Sequence, residues 1–156
     1  MHGENRRNLW ICMTLLALNL TFIWGNSMMT GEQSSEISSG VLQWITEILG
    51  GMIPKGELVL RKLAHFSEFS CLGLVLCWLF LLLNQQGIHR FSMPLLCGML
   101  AALTDETIQV LTPARGPSVI DVWIDTSGVL FGILLMLAGH HLYVSRKRKT
   151  IGGNKT

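Results

Sequence analysis

His65 and Glu68 stand one helical turn apart, with Arg61 and Lys62 just before them in one apolar segment. Asp105 and Glu106 close a second such segment, with Gln109 one turn past Asp105. Asp121 and Asp125 open a third, and Arg115 and Ser118 lie in the link between the second and third. Imidazole and carboxylate groups can move protons or ligate a cation, whereas guanidinium and ammonium groups suit phosphate or carboxylate. A charged side chain at mid-bilayer costs about 2.5–3.5 kcal/mol on insertion scales, so charges kept in apolar segments need a partner or a task. No catalytic residue is assigned, because Ser67 and Ser118 show no recognisable order of nucleophile and base.

These groups need elements to position them. The chain has 156 residues, 49% of them hydrophobic and only 14% charged. A soluble domain usually carries about 25% charged residues, and here the apolar residues run in long blocks rather than alternating faces. Blocks at 9–24, 63–83, 93–111 and 119–144 are long enough, or nearly so, to cross a hydrocarbon core of about 30 Å as helices. The expected fold is all-α: one polytopic membrane domain over residues 1–156 with four transmembrane helices. A signal peptide is the competing reading of the first block, but no cleavage-site pattern follows Trp24, so the block is expected to be retained.

Between the first two blocks Ile37, Val41, Trp44, Ile45, Ile48, Leu49 and Met52 recur at helical spacing among Glu36, Gln43 and Glu47. This predicts an amphipathic helix over about 36–49, lying in the interface or packed as a lid, ended by Gly50-Gly51 and Pro54. The Ser- and Glu-rich stretch 31–39 before it reads as loop.

Basic residues set the orientation. Arg6, Arg7, Arg90, Arg146, Lys147, Arg148, Lys149 and Lys155 fall on one side, and Lys55, Arg61, Lys62 and Arg115 on the other, eight against four. The positive-inside rule then puts both termini in the cytoplasm and the polar groups at the outer ends of their helices. Arg61, His65 and Glu68 fall within roughly 60° of one another at about 100° per residue. Asp105 with Gln109, and Asp121 with Asp125, form similar stripes, and Gly128 with Gly132 allows close helix approach. Bundle packing would turn these stripes inward as one polar cleft.

The run Arg61-Lys62-Leu63-Ala64-His65-Phe66-Ser67-Glu68-Phe69, with Gly73, resembles the first signature of the VanZ-like membrane protein family. Asp105-Glu106-Thr107-Ile108-Gln109, then Pro113-Ala114-Arg115 and Ser118, is similar to the second; Asp121, Asp125, Gly128 and Gly132 are similar to the third. The likeness spans about residues 61–132. It implies a small multi-pass membrane protein of the bacterial cell envelope, in a family associated with reduced susceptibility to the glycopeptide antibiotic teicoplanin and without a settled biochemical activity. Asn is also common in the family where Asp125 stands, which bears on any mechanism that needs a carboxylate there.

Several roles stay open for individual groups. Asp105 and Glu106 could be acid and base, cation ligands, or counter-ions of Arg61 and Arg115. His65 and Glu68 could hold a divalent cation beside Asp121 and Asp125, but one histidine with scattered carboxylates is a weak signature, so no metal and no cofactor is assigned. Arg115 could hold an anion, cap the third span or pair with Asp121; Lys62 is expected to snorkel to headgroups, and Gln109 to bond between helices. Three positive charges against five negative ones leave the cluster with a formal excess of two negatives.

The net charge of +2, without a basic stripe interleaved with aromatics, excludes a nucleic-acid partner. Cys12, Cys71, Cys77 and Cys97 lie in apolar blocks without a CxxC pair and read as small packing residues. The expected partner is a membrane-lipid or cell-wall-precursor headgroup at the outer cleft, bound with little or no chemistry. A membrane enzyme acting on a lipid-linked or phosphorylated substrate is the second reading. Transport of a small ion or amine, which would call on a homo-oligomer to line a path, is the third.

Overall fold

The computed structural model describes residues 3–49, 56–116 and 118–152, all helix and short connection, with no strand among them. Helices α1 (Gly3–Ser27), α3 (Gly56–Leu82), α4 (His89–Leu111) and α5 (Val119–Gly152) each contain a segment long and apolar enough to cross a membrane. All four outrun their apolar blocks: in α1 the helix continues through Glu4 to Asn8, where the straight-chain Glu4, Arg6 and Arg7 are good helix formers. Their outward faces carry large apolar side chains such as Trp10, Leu18, Leu100, Val110, Trp123 and Leu142, as lipid-facing surfaces require.

The fifth helix, α2 (Gly31–Leu49), begins earlier than its hydrophobic pattern. Thr30 caps it: the Gln33 amide donates to Thr30 Oγ1 at 3.3 Å, and the Thr30 amide donates to Gln33 Oε1 at 3.1 Å. This reciprocal capping box satisfies two amides that have no partner within the helix, so the stretch 31–39 is helix rather than the loop its composition suggested. Ile37, Val41, Trp44 and Ile48 form one exposed apolar stripe on α2. The expected stop at Gly50-Gly51 and Pro54 lies outside the described residues.

The tightest pairing is α3 with α5. A Cβ on Gly132 would collide with the carbonyl oxygen of Ser70, one on Gly73 with that of Val129, and one on Gly128 would press on that of Phe66. Small residues let the two backbones touch, which is how helices associate where lipid is as apolar as the side chains. Phe69, Leu72, Leu76 and Cys77 of α3 meet Val129 and Ile133 of α5, Ala101 and Ala102 of α4 and Ile23 of α1 in the apolar core. Short connections make sequential helices antiparallel, so the C-terminal ends of α1 and α4 gather beside the N-terminal ends of α3 and α5. The polar residues meet at that end of the bundle. Arg6, Arg7, Arg90, Arg146 and Lys147 mark the other.

Candidate functional site at one end of the helix bundle

Each polar group has a local reason for its position. Ser118 is the N-cap of α5: its Oγ accepts from the Ile120 amide at 3.1 Å, and its carbonyl accepts from the Asp121 amide at 2.9 Å. Glu106 reaches across from α4 and accepts from the Ser118 amide at 2.9 Å through Oε2, a carboxylate placed at a helix N-terminus where the backbone dipole favours it. The connection between α4 and α5 is held in turn by Arg115. Its Nη2 donates to the Asn26 carbonyl at 2.8 Å and its Nε to the Met29 carbonyl at 3.1 Å.

Arg115 therefore caps the end of α1 rather than the end of α4, and it does not pair with Asp121. Partial burial pulls its pKa below the usual guanidinium value and the nearby Arg61 adds to this, while Asp105, Glu106 and Glu68 oppose the shift. Ala114 beside Arg115 takes the left-handed backbone region at φ 58°, and the loop packs on the start of α2, where the Gly31 amide donates to the Pro113 carbonyl at 3.2 Å.

Asp105 is fully buried and well supplied with donors. Ser27 Oγ donates to its Oδ1 at 2.6 Å, and Gln109 Nε2 donates to its Oδ2 at 2.8 Å and lies 3.3 Å from Ser27 Oγ. Gln109 thus joins α4 to α1, an interhelical bond of the kind its type suggests. Glu68 accepts from Asn26 Nδ2 at 3.0 Å, again a link to α1. Asn26 and Ser27 were not among the residues singled out from the sequence. Their signal is two small polar residues ending the first apolar block at the same end of the bundle as the other stripes.

Lys62 does not reach outward to headgroups; its Nζ sits 2.6 Å from Asp121 Oδ1. Asp125, only 1% exposed, lies with Oδ1 3.8 Å from His65 Nδ1, and neither of its carboxylate oxygens has a hydrogen-bond donor. The cation set weighed from the sequence, His65 with Glu68, Asp121 and Asp125, is not the one the packing assembles. Glu68 turns to Asn26 and Asp121 to Lys62, while Asp105 joins His65 and Asp125, with one ligating atom from each within 4.8 Å of the others.

Two cavities open at this end. The first, about 210 Å³, is lined by Arg61, Lys62, His65, Glu106, Gln109, Ser118, Asp121 and Asp125, with Leu58, Gly116 and Ile124. The second, about 230 Å³, lies between α3 and α2 and has a largely apolar wall that includes Ile37, Val41, Leu60 and Met29, with Glu68 and Arg115 at one end. Arg61 and His65 line both, so a charged chamber and a greasy groove share a wall. Of the residues named from the sequence, Asp105 alone lines neither cavity; it stands behind His65 and Asp125.

A sequence model of the VanZ/LLP1 family matches residues 9–140, which reaches into all four apolar helices and takes in every residue of the polar cluster. No curated protein and no solved structure matches the chain.

Proposed function

The chain belongs to the VanZ/LLP1 family, and on that footing we propose that it is a bacterial cell-membrane protein binding an anionic lipid or lipid-linked cell-wall precursor at its polar cleft. The cleft opens on the extracytoplasmic side and both termini are cytoplasmic, in keeping with the basic residues gathered at the opposite end. Headgroup binding there lowers the access of glycopeptides such as teicoplanin to their cell-wall targets, in line with the reduced teicoplanin susceptibility associated with the family. The observation that carries this reading is the pair of cavities sharing Arg61 and His65. A charged chamber beside an apolar groove suits an amphiphile: phosphate against Arg61 and Lys62, hydrocarbon against Ile37 and Val41 of α2. The exposed apolar stripe of α2 favours a helix lying in the interface, beside the entry for such a chain.

Native mass spectrometry of the protein released from nanodiscs tests the reading, with polyprenyl phosphate and phosphatidylglycerol as anionic probes and phosphatidylcholine as the zwitterionic control. The wild type should retain an anionic lipid preferentially, and Arg61→Ala with Lys62→Ala should weaken retention at least tenfold. Equal retention of all three lipids by both proteins refutes the proposal. In cells the same double variant should express at the wild-type level and lose any glycopeptide-resistance phenotype.

A catalytic version, acid–base chemistry on a lipid-linked or phosphorylated substrate, draws on one specific observation, the placing of His65 and Asp125 together on the chamber wall. Mass analysis of products after incubation with lipid-linked precursors separates it from binding alone.

A further inference from the structure

We propose that His65, Asp105 and Asp125 hold a divalent first-row transition-metal cation, Zn²⁺ or Mn²⁺ in kind, at the inner wall of the polar chamber. The three residues come from α3, α4 and α5, and one ligating atom of each lies within 4.8 Å of the other two. Three donors bonded tetrahedrally at about 2.0–2.2 Å stand roughly 3.3–3.6 Å apart, so side-chain movements of about 1–1.5 Å close the site.

Asp125 gives the independent reason to place a ligand there. It is 1% exposed, both of its oxygens lack a hydrogen-bond donor, and the nearest basic atom, His65 Nδ1, stands 3.8 Å away, beyond hydrogen-bonding reach. Buried carboxylates ordinarily have donors or a metal, because desolvation of an unmatched charge is costly. Two of the three cationic side chains nearby are engaged elsewhere: Lys62 with Asp121, and Arg115 with the carbonyls of Asn26 and Met29. Five carboxylates (Glu68, Asp105, Glu106, Asp121 and Asp125) face three cations (Arg61, Lys62 and Arg115), and a divalent ion supplies the two missing positive charges.

The surroundings resemble those of metal sites. Ser27 Oγ and Gln109 Nε2 each donate to one oxygen of Asp105 and fix its orientation, as outer donors do for ligating carboxylates. The close contact of Gly128 with the Phe66 carbonyl, next to His65 on α3 and one turn from Asp125 on α5, fixes the spacing of those two ligands. One imidazole and two carboxylates favour Zn²⁺ or Mn²⁺, whereas Mg²⁺ and Ca²⁺ prefer a fuller set of oxygens. His65 and Asp125 line the chamber, so the remaining coordination positions face it and can take water.

The full chain, purified in nanodiscs and stripped with a chelator, should be titrated separately with Zn²⁺ and Mn²⁺ by calorimetry, with the thermal midpoint followed in parallel. One saturable site per chain is expected for at least one ion. Asp125→Asn, which keeps the shape, should weaken it at least tenfold and abolish the metal-induced rise in midpoint; its metal-free midpoint, at or above the wild-type value, shows that it folds. Replacing His140→Gln together with His141→Gln, at the opposite end, should leave binding within twofold. No saturable binding of either ion, or equal binding by the wild type and Asp125→Asn, overturns the proposal. Lipid retention does not depend on this site, so a negative metal titration leaves the headgroup experiment to be judged by itself.

Discussion

Ser27→Ala removes one donor from a fully buried site. Ser27 and Asp105 are both fully buried, and the hydroxyl lies 2.6 Å from Asp105 Oδ1. After the change Gln109 still serves Oδ2, but Oδ1 is left bare. A hydrogen bond to a charged group contributes about 1.5–3 kcal/mol in soluble proteins. Interhelical bonds in membranes average only about 0.6 kcal/mol, with a ceiling near 1.7, because the unfolded chain in lipid also finds partners. A short bond to a buried carboxyl belongs near that ceiling, so about 1.5 kcal/mol is expected, roughly a tenfold shift in the folding equilibrium. Unfolding by sodium dodecyl sulfate in mixed micelles, followed by circular dichroism, measures it. The cycle Ser27→Ala, Asp105→Ala and the double variant should give a coupling of about 1 kcal/mol or more. A single-variant loss below about 0.3 kcal/mol, or additivity within the same margin, would refute the view that α1 is fastened to α4 through this pair.

Three further outcomes are expected. Gly132→Ala, which drives a methyl into the Ser70 carbonyl, should destabilise the protein by about 1–3 kcal/mol in the same assay, whereas Gly139→Ala, with nothing within 4 Å, should be neutral or gain up to about 1 kcal/mol. Arg115→Lys should cost about 1–2 kcal/mol despite keeping its charge, because one ammonium cannot serve both the Asn26 and Met29 carbonyls as the guanidinium fork does; a wild-type midpoint would contradict this. Thr30→Val should weaken the start of α2 by about 1 kcal/mol, seen as faster amide hydrogen exchange over residues 31–34 with exchange in α3 unchanged.

The apolar blocks of this chain declare their structure without help from tertiary contacts. In lipid each backbone amide must be bonded within its own segment, so a long apolar run has little choice but to be helix, and the four spans are legible from Leu9 to Val144. The stripes of His65, Asp105, Asp121 and Asp125 were also legible, because short links force sequential helices to alternate in direction and so gather those ends together. The capping box at Thr30 and Gln33 was equally local, but the polarity of 31–39 masked it.

Which group meets which was decided only by the fold. Side-chain pairing depends on helix rotation and on separations of a few ångströms, and between α3 and α5 both are set by backbone contacts at Gly73, Gly128 and Gly132. Those contacts gave Lys62 to Asp121, while the packing of α1 against α3, α4 and the α4–α5 link turned Arg115 toward the end of α1 and brought Asn26 and Ser27 to Glu68 and Asp105 across more than forty residues of chain. The α3–α5 packing also left Asp125 buried beside His65 without a donor. Periodicity can assign a residue to a face, but only packing determines what that face touches.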